Sequence, residues 1–235
     1  MRTILLTNDD GWDSTGLATL RAAAAEVFPE ARLCTVAPAS EQSMCGHSLT
    51  TCVPLVSTKT GRDSWKVAGT PADCVRVALF ALGIEPDLVL SGINHGGNLG
   101  QDVHVSGTCA AAREAVYHGR AAASFSQYLR RGLELDWDRT RQLCARALSQ
   151  LVENGSSPVR GFWNFNFPHP DPDTDLEQLR IVPTHLESAP LPVAFETSAE
   201  GVHAYRGVYQ DRARSAGSDV AVCFGGDVSM GWLDA

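Results

Sequence analysis

The sequence lacks the features that mark several special classes of protein. Its seven cysteines are odd in number and form no C-x-x-C pair, so we expect reduced, mostly buried thiols rather than a disulfide framework. No stretch approaches the roughly 20 apolar residues of a membrane span. The first apolar run, Ile4-Leu5-Leu6, is too short for a signal peptide. These absences predict a cytoplasmic protein without a membrane partner.

An excess of basic charge is also missing. The net charge is -8 and the isoelectric point is about 5.3, which argues against binding to a nucleic-acid polymer or an anionic membrane. If the substrate is anionic, the attraction must therefore be local. A metal ion, a helix N-terminus or a set of backbone N–H groups supplies such local attraction.

Several catalytic signatures are absent from the 235 residues. There is no G-x-x-x-x-G-K-[ST], no G-x-G-x-x-G after the first strand and no G-x-S-x-G, which removes support for nucleotide motors, dinucleotide oxidoreductases and serine hydrolases. The histidines show no H-x-H or H-E-x-x-H spacing. Asp9 and Asp10 are adjacent, whereas enzymes that form an aspartyl-phosphate in the haloacid-dehalogenase manner have Asp-x-Asp at the equivalent place.

What the sequence does contain is a repeated alternation of short apolar runs and helical patterns. Buried strands are predicted at 4–6, 33–37, 87–91 and 121–125, and helices at 15–28, 70–82 and 108–118 and after Asp136. This order predicts an α/β fold, with a three-layer α/β/α, Rossmann-like and mostly parallel sheet.

The C-terminal third has a different pattern. Asn164 and Asn166 alternate with aromatic residues, which predicts a strand with one polar face, and residues 188–218 have no helical period and read as an extended hairpin or arm. Residues 219–224 and 228–233 are predicted as two closing strands. We therefore divide the chain into a core (1–187), an arm (188–218) and closing strands (219–235).

Oxygen-bearing side chains follow three of the predicted strands. Asp9 and Asp10 follow the first, Ser43 lies beyond the second, and Asn94 follows the strand that ends at Ser91. Ligands of parallel α/β sheets bind beyond the carboxyl ends of the strands. Carboxylate, hydroxyl and amide oxygens suit Mg²⁺, Mn²⁺ or Ca²⁺. The aspartate pair alone is equally compatible with an Asx turn or a helix cap, so its neighbours carry the metal prediction.

A second pattern indicates an anion site. Ser106-Gly107-Thr108 opens a helix, whose free N–H groups and dipole attract phosphate. The preceding glycine-rich loop, which carries Asn98, allows the backbone to approach a ligand closely. By itself, Ser106 or Thr108 is more often only an N-cap.

Together these residues resemble the SurE family of nucleotidases. The matching motifs stand in family order: Thr7-Asn8-Asp9-Asp10-Gly11, Val36-Ala37-Pro38 with Ser43, Gly46-His47-Ser48-Leu49-Thr50, Gly69-Thr70-Pro71-Ala72-Asp73-Cys74-Val75, Ser91-Gly92-Ile93-Asn94-His95-Gly96-Gly97-Asn98-Leu99-Gly100 and Ser106-Gly107-Thr108. The resemblance covers about residues 1–126 strongly and returns more weakly in the C-terminal third.

The resemblance implies hydrolysis of nucleoside 5'- and 3'-monophosphates, with some activity on short polyphosphates in certain members. It implies one Mg²⁺ or Mn²⁺ per subunit. The implied metal ligands are Asp9, Asp10, Ser43 and Asn94, and the implied phosphate contacts are Asn98, Ser106, Gly107 and Thr108, to which we add Asn8 as a candidate. It further implies a homodimer or tetramer that exchanges C-terminal arms.

The resulting hypothesis is direct hydrolysis by a metal-activated water, with Asp9 or Asp10 as the catalytic base. His104 is the histidine to consider as an acid for the leaving group, and Tyr205 and Tyr209 of the arm are expected to pack against a partner subunit. Two alternatives stay open: a non-catalytic nucleotide- or metal-binding regulatory module, and a phosphatase for non-nucleotide phosphoesters or polyphosphate.

Overall fold

The fold is that of a computed structural model, which describes residues 3–154 and 160–235. The strands are β1 (Thr3–Thr7), β2 (Arg32–Pro38), β3 (Ser57–Gly61), β4 (Ser64–Val67), β5 (Leu88–His95), β6 (Ala121–Gln127), β7 (Gly161–Phe167), β8 (Ile181–Thr184), β9 (Phe195–Thr197), β10 (His203–Tyr205) and β11 (Val228–Asp234). The α-helices are α1 (Thr15–Val27), α2 (Pro71–Arg76), α3 (Asp102–Val105), α4 (Gly107–Tyr117), α5 (Trp137–Asn154) and α6 (Asp219–Phe224).

Nine of the described strands form one sheet in the order β3-β4-β2-β1-β5-β6-β7-β11-β8. The six strands from β4 to β7 run parallel to their neighbours. The direction reverses on either side of these six strands, because β3 pairs antiparallel with β4 and β11 pairs antiparallel with β7. The edge strand β8 pairs parallel with β11. The mostly parallel sheet predicted from the sequence is therefore confirmed.

The central strand β1 shows why the sheet is covered on both faces. Its successive side chains point to opposite faces. Ile4 and Leu6 belong to a core cluster shared with α1 and α5, whereas Leu5 belongs to a second cluster shared with α2 and α4. All three side chains are fully buried. A strand buried on both faces reads as a continuous apolar run, and the three-layer α/β/α prediction is confirmed.

The helix starts follow the capping residues of the sequence. Thr70 and Asp73 form the predicted capping box of α2, and the Ser14 hydroxyl accepts a hydrogen bond from the Leu17 N–H at the start of α1. After α2 the chain continues as a π-helix, Val77–Ala81, so the predicted helix is present but changes its hydrogen-bond pattern.

One predicted strand is wrong. Residues 219–224 form the short helix α6, capped by Ser218, whose hydroxyl accepts from the Ala221 N–H at 3.1 Å. Val220 and Cys223 are buried three residues apart, which is a helical spacing, but six residues are too few for that period to stand out from an alternating one. The last predicted strand is confirmed as β11.

The arm contains a small antiparallel hairpin, β9 with β10, as the sequence led us to expect. The β3–β4 hairpin and β8 were not predicted. Within the described residues, no helix combines the length and the apolar character that crossing a membrane requires.

Candidate active site

The sheet opens into a cavity beyond the carboxyl ends of β1 and β5. From β1 the chain first adds β2 on one side and later β5 on the other, so the strand order reverses there. The cavity measures about 710 Å³, and six of the predicted site residues line it: Asp9, Asp10, Ser43, Asn94, Asn98 and Ser106. Side chains from four separate loops thus meet in one place.

Asp9 is the more deeply buried of the two aspartates, with 5% of its surface exposed. Its carboxylate accepts hydrogen bonds from the Thr108 N–H at 3.0 Å and from the Thr108 hydroxyl at 2.5 Å. Burial, with a smaller contribution from the charge of Asp10, raises the pKa of Asp9 to about 6, although the Thr108 hydrogen bonds oppose this rise. The buried charge is therefore incompletely compensated by the protein itself.

Asp10 lies nearer the solvent. It accepts a hydrogen bond from the His95 N–H at 2.9 Å. Burial raises the pKa of its carboxyl group above the ordinary value, with Glu41 acting in the same direction and His95 against it. The ion pairs of lysine and arginine side chains in the described part of the chain go to other carboxylates.

The loop after β2 brings Ser43 to the cavity. Its backbone is tied to the aspartates, because the Gln42 N–H donates to the Asp9 carbonyl at 2.8 Å. The Ser43 hydroxyl is exposed and donates to the Glu41 carboxylate at 2.5 Å. Glu41 also lines the cavity, so it adds a carboxylate that the sequence reasoning did not single out.

The donor set fits a divalent cation. The amide nitrogen of Asn94 donates to the Gly96 carbonyl at 2.8 Å, which leaves its amide oxygen for a ligand. Two carboxylates without a lysine or arginine partner, one hydroxyl and one amide oxygen form an all-oxygen set of the kind that Mg²⁺ and Mn²⁺ prefer. No group of three or more His, Cys, Asp or Glu side chains within 3–154 and 160–235 is arranged as a metal site.

The N-terminus of α4 lies beside the aspartates. Ser106 is its N-cap and accepts a hydrogen bond from the Cys109 N–H at 3.1 Å. A Cβ added to Gly107 would lie 2.8 Å from the Cys45 sulfur and 3.0 Å from the Asp9 Cβ, so only glycine lets the helix approach this closely. The Asp9 carboxylate accepts hydrogen bonds from both the N–H and the hydroxyl of Thr108. Thr108 itself does not line the cavity.

Three predicted site residues, Asn8, Gly107 and Thr108, do not line the cavity, and Asn8 is the one turned away from it. It is fully buried, and its amide nitrogen donates to the Gly11 carbonyl at 2.9 Å and to the Ser14 hydroxyl at 2.7 Å. These bonds fix the turn that carries the aspartates. The geometry therefore gives no support to a direct substrate contact by Asn8.

Asn98 is held by polar residues that the sequence reasoning missed as functional. Asn166 accepts from the Asn98 N–H at 2.8 Å and donates to the Asn98 carbonyl at 3.1 Å. Asn164 donates to the same carbonyl at 3.0 Å, and the Asn98 amide donates to the Ser126 hydroxyl at 2.8 Å. The alternation Asn-Phe-Asn-Phe was the available signal, but its polar face is buried under the segment of residues 96–101 rather than exposed.

Comparisons with known proteins identify the family of the chain. The family model described as survival protein SurE matches residues 4–189. The chain belongs to the SurE family. It is 38% identical over 228 residues to a putative 5'-nucleotidase of Nostoc sp. strain PCC 7120, covering 97% of each chain. It is 44% identical over 173 residues to the 5'-nucleotidase SurE of Campylobacter jejuni strain 81-176, covering 72% of this chain and 67% of the relative.

A solved SurE structure has the same architecture. The crystal structure of the SurE protein from Aquifex aeolicus superimposes with a TM-score of 0.80 at 30% sequence identity, covering 99% of this chain and 93% of the other. All candidate site residues fall inside the part that the SurE family model matches, whereas almost all of the arm lies beyond residue 189.

The structure also gives the positions of His104 and Tyr209, two further residues named from the sequence. His104 is exposed on α3 and does not line the cavity, whereas His95 does. Tyr209 was expected to pack against a partner subunit, but its hydroxyl lies 3.2 Å from the Gly97 carbonyl of its own chain. Tyr209 therefore contacts the chain that carries it, and its packing against a partner subunit stays a prediction.

Proposed function

We propose that the chain is a metal-dependent 5'-nucleotidase that hydrolyses nucleoside 5'-monophosphates, and also 3'-monophosphates, to nucleoside and phosphate. The observation that carries this proposal is the meeting of Asp9, Asp10, Ser43 and Asn94 with Asn98 and Ser106 around one cavity. Membership of the SurE family, with relatives named as 5'-nucleotidases, supports it.

Asp9, Asp10, Ser43 and Asn94 would hold one Mg²⁺ or Mn²⁺. When bound, such an ion supplies Lewis-acid chemistry to the phosphoryl oxygens and to water. Asp10 is nearer the solvent than Asp9, and among the described residues its carboxylate accepts one hydrogen bond, from the His95 N–H, whereas that of Asp9 accepts two from Thr108. We therefore assign to Asp10 the orientation of the attacking water and the acceptance of its proton, and to Asp9 the deep ligand position.

Asn98 and Ser106 would contact the phosphate oxygens. The N-terminus of α4 adds the positive end of its dipole and the Gly107 backbone, which stabilises charge on these oxygens as it grows. Thr108 acts indirectly in this scheme, because its N–H and hydroxyl hold the Asp9 carboxylate in place.

The size of the cavity favours a nucleotide over phosphate alone. Its volume of about 710 Å³ is within the range of sites for whole small molecules. Part of its wall is apolar and aromatic, formed by Trp137, Leu191, Pro192 and Val208. A nucleoside fits such a wall by stacking and hydrophobic contact.

Turnover of a substrate panel tests the proposal. With Mn²⁺ supplied, phosphate release is expected from AMP and GMP, is stopped by a chelator and is restored by added Mg²⁺ or Mn²⁺. Asp9→Asn and Asp10→Asn should each lose activity by at least about 100-fold. Asp13→Asn is the matched control, because Asp13 lies in the same turn but its side chain is 80% exposed and pairs with Lys66.

The same panel separates the rival functions. Tight nucleotide binding without phosphate release would identify a binding module. Faster turnover of sugar phosphates or polyphosphate than of any nucleotide would identify a different phosphatase. Full activity of Asp9→Asn would remove the aspartate from the mechanism.

We also propose that subunits assemble through the hairpin end of the arm. Val193, Phe195 and Val202 are 69%, 60% and 63% exposed there, and apolar side chains so placed favour burial against a partner. Light scattering on wild-type protein should give a dimer or tetramer, and Phe195→Lys should lower the assembled fraction. A monomeric wild-type protein would refute this assembly.

A further inference from the structure

The segment between β5 and α3, residues 96–101, is called here the Asn98 loop. It has no regular secondary structure of its own. One side of it rests on Asn164 and Asn166 of β7, as described above. Its position toward the cavity therefore depends on what holds its other side.

Tyr209 of the arm is the first contact on that other side. Its hydroxyl lies 2.9 Å from an oxygen of the Asp102 carboxylate, to which it donates, and 3.2 Å from the Gly97 carbonyl oxygen. A Cβ on Gly97 would come within 3.1 Å of the same hydroxyl, so the contact is close. Tyr209 also lines the cavity, which places it between the arm and the Asn98 loop.

Arg212 is the second contact. It forms a bidentate ion pair with Asp102, at 2.7 and 3.2 Å, and donates to the Leu99 carbonyl at 3.2 Å. Arg212 is 6% exposed, and its guanidinium lies 4.4 Å from the centre of the Tyr209 ring. A buried, two-pronged pair of this kind fixes geometry more strictly than a surface pair.

Packing supports the same attachment. Leu99 is fully buried in a small cluster with Tyr128, Val220 and Cys223, and Tyr209 packs against that cluster. The Asn98 loop therefore lies between β7 on one side and the arm on the other. Movement of the loop away from the asparagines is opposed by both polar and apolar contacts.

We propose that Tyr209 and Arg212 are positioning residues for phosphate binding, which hold the Asn98 loop from the arm so that Asn98 faces the substrate phosphate. This inference rests on the proposed function, because it takes Asn98 as a phosphate contact. Neither residue falls within the stretch that the SurE family model matches. The arm thus contributes to the site of its own chain as well as offering a surface to a partner.

The test compares Tyr209→Phe and Arg212→Met with Arg206→Met in the full chain. Arg206 lies on the same arm but pairs with Glu196 in solvent, so it is a matched control. Binding of inorganic phosphate, with Mn²⁺ saturating, should weaken about five- to tenfold in both test variants and change less than about twofold in the control. The affinity for Mn²⁺ alone should stay within about twofold of wild type, which a general structural defect would not allow.

A double-mutant cycle with Asn98→Ala shows whether the arm acts through Asn98. Adding Tyr209→Phe to Asn98→Ala should weaken phosphate binding by less than about twofold further, because coupled residues are not additive. Additive losses would overturn the proposal. If Arg212→Met leaves Asp102 unpaired and unfolds, Tyr209→Phe carries the test, since it keeps the ring and removes only the hydroxyl.

Different results would refute the proposed function and the positioning role of Tyr209 and Arg212. Wild-type protein that binds no phosphate with Mn²⁺ present would overturn the proposed function and this inference with it. Wild-type binding that is unchanged in Tyr209→Phe and Arg212→Met would overturn the positioning role alone.

Discussion

Thr108 holds the carboxylate of Asp9 with two donors, its backbone N–H on one oxygen at 3.0 Å and its hydroxyl on the other at 2.5 Å. A helix N-cap region thereby orients the residue that we propose as the deep metal ligand. Because Asp9 follows β1 and Thr108 lies in the first turn of α4, this pair joins the metal side of the site to its phosphate side.

Removing the Thr108 hydroxyl should impair catalysis without removing any ligand. Thr108→Val keeps the shape of the side chain but deletes one hydrogen bond to a charged group, which is worth about 1.5–3 kcal/mol. We expect kcat/KM for AMP to fall about 10- to 100-fold. Thr108→Ser, which keeps the hydroxyl, is the control. Equal rates for the valine and serine variants would contradict this role.

The buried charge of Asp9 should make the metal-free protein less stable at neutral pH than at mildly acidic pH. Its pKa is about 6 in the folded protein against an ordinary 3.8, so between these pH values the folded state binds more protons than the unfolded state. The free energy of unfolding therefore falls as pH rises through this range, by up to about 3 kcal/mol.

Asp9→Asn removes that charge, so the metal-free variant should be more stable than wild type at pH 7, by about 1–3 kcal/mol, and no more stable at pH 4. Urea unfolding in a chelator measures the difference. Added Mn²⁺ should then stabilise wild type but not the variant, because only wild type binds the ion. If metal-free wild type has a higher free energy of unfolding than Asp9→Asn at pH 7, other interactions compensate the cost of burying the Asp9 charge.

Sequence and structure agree where local pattern determines the outcome. The apolar run of β1 and the aspartates behind it follow from neighbouring residues and from the general position of ligands at strand ends. The anchoring of Asn98 by Asn166 spans 68 residues and cannot be found from local spacing. The same holds for Arg212 and Asp102, 110 residues apart, because their pairing exists only once the arm has folded back.

The length of the local sequence pattern explains why α5 was predicted and α6 was not. In α5, 18 residues give the helical period room to be recognised, whereas the six residues of α6 do not. The hairpin β3–β4 escaped notice because β3 is exposed along its whole length and shows no apolar alternation. For α6, packing of Val220 and Cys223 against the distant residues Leu99 and Tyr128 supplies what the short local pattern does not show.

Asn166 should matter for both stability and activity. Asn166→Ala leaves the Asn98 N–H without its partner at 2.8 Å, which costs about 1–3 kcal/mol for a buried donor. It also frees the Asn98 loop, so KM for AMP should rise more than kcat falls. Ser229→Ala is a suitable control, because Ser229 pairs with Asn166 across β11 and β7 and its buried hydroxyl has no partner among the described residues. Similar losses in both variants would mean that the strand pair, not the Asn98 contact, is responsible.

Glu114 should dominate the acid sensitivity of the face opposite α1 and α5. Burial opposes its ionisation, but hydrogen bonds from His47, Arg76 and His118 outweigh burial and lower the pKa of Glu114 to about 2. A carboxyl group with a lowered pKa stabilises the fold fully above its ordinary pKa of 4.5, and this contribution disappears as pH falls toward 2.

Glu114→Gln should therefore lower the free energy of unfolding by about 2–3 kcal/mol at pH 7, and the difference from wild type should shrink by about half near pH 3. Glu85→Gln is the matched control, because Glu85 pairs with Arg120 while its side chain is 79% exposed, and such surface pairs contribute about 1 kcal/mol at most. Urea unfolding at both pH values measures the effect. A constant difference between Glu114→Gln and wild type from pH 7 to pH 3 would show that the glutamine variant loses packing rather than the ionised carboxylate and its three hydrogen bonds.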